Sequence, residues 1–192
     1  MAKTDPEAAR RQRRKTIRWV VTVFLITVVI SGIISLVSDE VMDSSSLPVA
    51  FLILLAIVMV GIVFDIIGMA VATADEKPFH SMAARKVPGS QEAIRLLRNA
   101  ERVSSICNDV VGDICGVVSG SASATIAALI LTQVDVGWPR GVSLVMSALV
   151  AGLTVGGKAI GKTFAVNSCT QIVHMVGKVL HALNGLHGKK KK

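Results

Sequence analysis

Residues 156–163 read GGKAIGKT, which fits the phosphate-binding pattern G-x-x-x-x-G-K-[ST] through Gly156, Gly161, Lys162 and Thr163. Such a loop wraps phosphates only where it joins a buried strand to the start of a helix. The alternative is a helix running straight through the stretch, and the surrounding residues favour it. No charge falls between 141 and 157, and only 29 residues follow Thr163, too few for the remaining strands of a nucleotide-binding sheet. No nucleotide is expected at 156–163.

The run before this stretch is one of four. Residues 19–38, 44–64, 114–134 and 141–157 carry no charged side chain. Each is about as long as the roughly 17–25 residues that cross a bilayer as a helix. The chain of 192 residues is 52% hydrophobic and 18% charged, against about 25% charge in an ordinary soluble domain. A soluble bundle would repeat polar stripes every third or fourth residue, and these runs do not. The expected fold is an all-α polytopic membrane protein of four transmembrane helices. The first run lacks a small-x-small cleavage site and reads as an anchor.

The net charge of +8 follows topology rather than nucleic-acid binding. Of the 21 Lys and Arg, seven lie in 1–18, six in 77–102 and seven in 158–192. Loop 38–47 has none, and loop 135–140 has only Arg140. The base-poor loops should face outward, leaving both termini cytoplasmic in the cell membrane. Trp19 and Trp138 fall at opposite expected interfaces.

The expected organisation begins with a basic arm, 1–16, suited to anionic lipid. An N-terminal span and outer loop follow at 17–46, with the span itself at 17–38. Further spans are expected at 47–74, 104–134 and 141–166. An inner helical hairpin lies at 75–103, where Pro78 and Pro88-Gly89 mark turns and Ser90 offers an N-cap. An amphipathic helix at 167–186 and a polybasic tail at 187–192 complete the chain.

Cys107, Cys115 and Cys169 fall on the cytoplasmic side, where no disulfide is expected. No CxxC or Cys/His spacing suggests zinc. His174 and His181, seven apart, read as an interfacial polar face. No Ser/His, Cys/His or metal constellation at membrane depth supports an enzyme.

Span 3 carries small or short residues every fourth position: Asn108, Gly112, Gly116, Gly120, Ala124 and Ala128. Span 4 carries Ala148, Gly152 and Gly156, with Gly157, Gly161 and Ala165 on a neighbouring line. Such faces let helices approach closely in lipid, within one chain or across a homodimer.

Five charges interrupt the apolar helices: Asp65, Asp109, Asp113, Lys158 and Lys162. At 1.5 Å per residue they lie roughly 24–38 Å below the outer ends of their spans. That places them near the inner margin of a core about 30 Å thick. Asp109/Asp113 and Lys158/Lys162 are i,i+4 pairs, each on one helix face. Charges at this depth tend to turn inward, pair and serve function, so an inward Asp/Lys cluster from three helices is expected.

The order of these parts resembles the transmembrane domain of the CNNM/CorC family of magnesium transporters. The likeness covers about 50–186 and rests on FDIIGMAVATADEKPFHSMA (64–83), ICNDVVGDI (106–114) and GGKAIGKTFA (156–165). It implies three spans with a juxtamembrane hairpin and helix, assembled as a dimer around an intramembrane magnesium site. The family's Ser, Glu and Ala positions in its first motif read Asp65, Gly68 and Ala70 here. Its asparagine stretch is matched by Asn108-Asp109, and its G-E-x-x-P-K motif by Gly157 to Lys162. The glutamate has become Lys158 and the proline Gly161.

The resemblance implies an ion-transport module, with Asp65, Asn108, Asp109, Asp113, Lys158 and Lys162 as ion-binding or charge-cluster candidates. Mg2+ is then the transported or bound ion, and no other cofactor is expected. The alternative is a non-transporting scaffold or regulatory protein in which Lys158 replaces the cation. A membrane or cytoplasmic protein partner is expected in that case.

Overall fold

The computed structural model describes the backbone of residues 6–43, 45–134 and 137–188. Side chains are described for residues 14, 16–38, 40–41, 45–134 and 137–184. Residues 1–5 of the expected basic arm, Asp135-Val136 of the loop 135–140 and 189–192 of the tail lie outside the described residues.

All regular structure among the described residues is helical. Helix α1 spans Pro6–Asp43, α2 Leu47–Thr73, α3 Lys77–Ala84, α4 Ser90–Arg98 and α5 Ala100–Ser105. A π-helical segment, Ile106–Gly112, joins α5 to α6, Asp113–Gln133; α7 spans Pro139–Asn167 and α8 Cys169–Gly188. Four stretches are long and apolar enough to cross a membrane: Thr16–Ser38, Leu47–Thr73, Ala100–Gln133 and Pro139–Asn167.

The helix boundaries follow local chemistry. Pro48 and Pro139 sit in the first turns of α2 and α7, where a missing N–H costs nothing. Helix α1 starts 11 residues before the expected span because PEAARRQRRK is rich in good helix formers. Between α3 and α4 the chain turns at Lys86, φ 55°, and Gly89, φ 83°. Gly89, not Ser90, precedes the helix; Ser90 is already helical, and its hydroxyl donates back to the Val87 carbonyl at 2.6 Å.

Helix α2 is the centre of the fold, packing on α6, α7, α5, the π segment and α8. Its buried residues Ala50, Leu54, Val58, Gly61, Asp65 and Gly68 recur every three or four positions, one stripe down the helix. One apolar core joins Ala50, Leu54 and Val58 to Ala122 and Ile126 of α6 and Val150 of α7. A second, at the other end of α2, joins Ala70 and Val71 to Phe79, Ala93, Leu97, Ala165, Ile172 and Val173. Thus α3, α4 and α8 pack on the same end of α2.

Helix α1 is peripheral. It packs mainly on α6, with Val23 against the cluster of Val110 from the π segment and Ile114 and Val118 of α6, and no residue of its most apolar stretch is fully buried within the protomer. Arg102 also lies over the Trp19 ring, 5.7 Å from its centroid, close enough for a cation–π contact. At the other end, Trp138 lies over Gly141, where a Cβ would meet its Cδ2 at 2.6 Å.

Candidate functional site

Asp65 sits mid-stripe on α2, only 4% exposed. Its Oδ2 has no hydrogen-bond partner. Burying an aspartate among apolar helices is costly, and an oxygen left without a hydrogen bond adds to that. Ordinary packing gives no return for such a residue.

The wall facing Asp65 is the π segment and the start of α6. A π-helix bonds i to i+5 and widens the turn, a distortion common at functional sites. This one carries Asn108 and ends at Gly112. Asn108 donates from Nδ2 to Ser104 Oγ at 3.2 Å, while its Oδ1 is buried without a partner. The side chain lies directly against Gly68, where a Cβ would stand 2.8 Å from Asn108 Cγ. The α2–π interface therefore buries two oxygen acceptors without donors.

Lys158 reaches the same place from α7. Its Nζ donates to the Gly112 carbonyl at 3.3 Å. A Cβ at Gly112 would lie 3.3 Å from that Nζ and 3.9 Å from Asp65 Oδ1. Carboxylate and ammonium thus flank one glycine, yet no ion pair joins them.

The other charged candidates lie elsewhere. Asp109 is exposed and accepts from Ser105 Oγ at 2.7 Å. Lys162 is exposed on α7. Asp113 is exposed and shares with Lys158 a groove of about 470 Å³ between α6 and α7. The structure therefore brings Asp65, Asn108 and Lys158 to one interface and leaves Asp109, Asp113 and Lys162 on the protomer surface. Among the described residues no group of three His, Cys, Asp or Glu side chains could hold a metal.

The packing candidates divide as well. Gly112 is in contact, but Gly116 and Gly120 on α6 and Gly152 and Gly156 on α7 have nothing within 4 Å of a Cβ position. Close contact falls instead to the neighbouring line of α7, where Gly157 and Gly161 face Ile62 and Ile66, and to Gly61 of α2. Gly61 meets Cys115 Cβ at 2.9 Å, and Gly161 meets Ile66 Cγ1 at 2.8 Å. Residues 156–163 are helical throughout, inside α7, so their N–H groups serve the helix ladder rather than a phosphate cradle.

No family model, curated protein or solved structure matches the chain.

At the α3–α4–α8 end, a second polar contact was not read from the sequence. His181 of α8 meets Glu92 of α4, Nδ1 to Oε1, at 3.0 Å. The hydrogen bond from His181, then backbone hydrogen bonding, holds the Glu92 carboxyl below its usual range despite partial burial. His174 approaches the Pro88 carbonyl at 3.3 Å. The two histidines straddle Gly177, whose Cβ position meets Ala93 Cβ at 3.2 Å. The seven-residue spacing of the histidines was the available signal; their partners, more than 80 residues away, were not.

Proposed function

We propose that this chain is a membrane-embedded cation-transport module in which Asp65 is the carboxylate that meets the ion. The observation that carries this reading is the buried Asp65 with an unpartnered oxygen, opposite a π segment that also buries Asn108 Oδ1. Hard cations seek oxygen ligands, and Mg2+ keeps several of its waters, so one or two protein oxygens suffice. Asp65 and Asn108 supply donors of that type. The resemblance to CNNM/CorC makes Mg2+ the cargo.

In this reading the four apolar helices cross the cell membrane with both termini cytoplasmic. The α3–α4 pair forms a juxtamembrane hairpin on the cytoplasmic face, and α8 lies there as an amphipathic helix. The open α6–α7 groove, with its small residues, suits a second copy of the chain, since small residues let helices pack closely in lipid. A second reading is favoured by the ammonium of Lys158 at Gly112: the scaffold survives, and the lysine fills the place of the ion.

Expression in cells stripped of their own magnesium uptake tests the first reading. Growth at low Mg2+ restored by the wild type, and lost with Asp65→Asn at equal membrane abundance, supports transport. Equal growth with both chains removes Asp65 from the function.

A further inference from the structure

We propose that Lys158 is a tethered competitor for the cation site. From its observed place on the Gly112 carbonyl it swings to hold the Asp65 carboxylate when the site is empty, and it returns when an ion enters. This inference rests on the cation-transport reading and assigns the regulation of that site.

Three observations converge on it. Lys158 Nζ makes a single hydrogen bond among the described residues, to Gly112 at 3.3 Å, so most of its donor capacity is unused. Asp65 is 4% exposed and has an oxygen without a partner. Both groups approach Gly112: a Cβ there would stand 3.3 Å from the ammonium and 3.9 Å from Asp65 Oδ1. Opposite charges flanking one glycine attract, and a bare buried carboxylate gains from meeting a cation. Lysine is a compact charge on a flexible four-carbon stem, so a modest swing past Gly112 joins the two.

The withdrawn position is also provided for. Lys158 lines the α6–α7 groove, as does the exposed Asp113, which offers negative charge to a displaced ammonium. Two consequences follow. Asp65 is charge-compensated when empty, so it can change exposure without carrying a bare charge through lipid. A divalent ion displaces the tethered monovalent ammonium more readily than Na+ does, because its attraction to the carboxylate is doubled.

The test is a double-mutant cycle on the full chain in lipid nanodiscs, using Asp65→Asn, Lys158→Met and the pair. Thermal unfolding is measured without divalent ions, and Mg2+ binding is measured by titration with Na+ as control. Where Lys158→Met does not fold, Lys158→Gln replaces it. Without ions, each single substitution lowers the midpoint by about 3–8 °C, and the double variant falls no further than either. Mg2+ affinity rises about tenfold in Lys158→Met and is lost in Asp65→Asn.

Additive midpoint losses would mean the two residues do not meet and would overturn the tethered competitor; Asp65-dependent Mg2+ binding in the wild type would then still uphold the cation site. Coupled losses with no Mg2+ binding in any variant would overturn both the transport reading and the exchange, leaving a permanent internal ion pair. Unchanged Mg2+ affinity in Lys158→Met would overturn the competition alone.

Discussion

Gly68 of α2 lies so close to Asn108 of the π segment that a Cβ there would stand 2.8 Å from Asn108 Cγ and 3.0 Å from Cys107 Cβ. The Asn108 side chain can rotate, but Cys107 Cβ moves only with its backbone. Gly68→Ala should therefore push α2 and the π segment apart. We expect about 1–3 kcal/mol of destabilisation, as overpacking typically gives, read by thermal unfolding. A variant as stable as the wild type would show that this interface is slack.

The groove glycines predict the opposite pattern. A Cβ at Gly116 meets nothing within 4 Å inside the protomer. Gly116→Leu should change protomer stability by no more than about 0.5 kcal/mol. If the groove holds a second copy, the same variant should convert dimers to monomers, read by subunit counting in lipid. A dimer that survives the substitution places its interface elsewhere.

A pH dependence follows from Glu92 and His181. The Glu92 carboxyl lies below its ordinary value of 4.5, chiefly through the hydrogen bond from His181. A depressed carboxyl stabilises the fold above its unfolded pKa, and that contribution fades as pH falls through the folded value. Docking of α8 on α4 should hold above about pH 4.5 and loosen in stronger acid, followed by hydrogen exchange along α8. Because the imidazole is 56% exposed, water limits the pair to about 1 kcal/mol or less. Glu92→Gln should remove the acid limb of the profile; an unchanged profile would exclude this carboxyl as its source.

The proposed orientation can be read by cysteine labelling after replacement of Cys107, Cys115 and Cys169. Ser45→Cys, in the link between α1 and α2, should react with an impermeant reagent added outside intact cells. Ser81→Cys on α3 should react only once the membrane is opened. Reversed labelling would invert the topology.

The ends of two apolar helices were legible in the sequence. Helix α2 ends one residue from its expected limit, and α7 begins and ends within two residues of expectation. Length and the absence of charge decide where a lipid-exposed helix runs. The site was legible in part, for a physical reason. Spacing of i,i+4 placed Asp109 and Asp113 on one face with regular α-helical winding assumed. The π segment over 106–112 changes that winding, and no periodicity announces it. Depth put all five charges at one level, so it did not separate Asp65 and Lys158, which approach one glycine, from the exposed Asp109, Asp113 and Lys162. The small-residue ladders could not reveal which glycines touch. Gly161, on the neighbouring line of span 4, and Gly61, on no ladder, carry close contacts because Ile66 and Cys115 lie opposite them.

The most direct test of the Asp65 site is Mg2+ uptake into proteoliposomes holding an internal magnesium dye. Wild type, Asp65→Asn and Lys158→Glu are compared at matched protein density. Uptake by the wild type that disappears in Asp65→Asn is the expected result. An impermeable wild type that gains uptake only as Lys158→Glu would contradict it, and would mean that the lysine permanently occupies the cation's place.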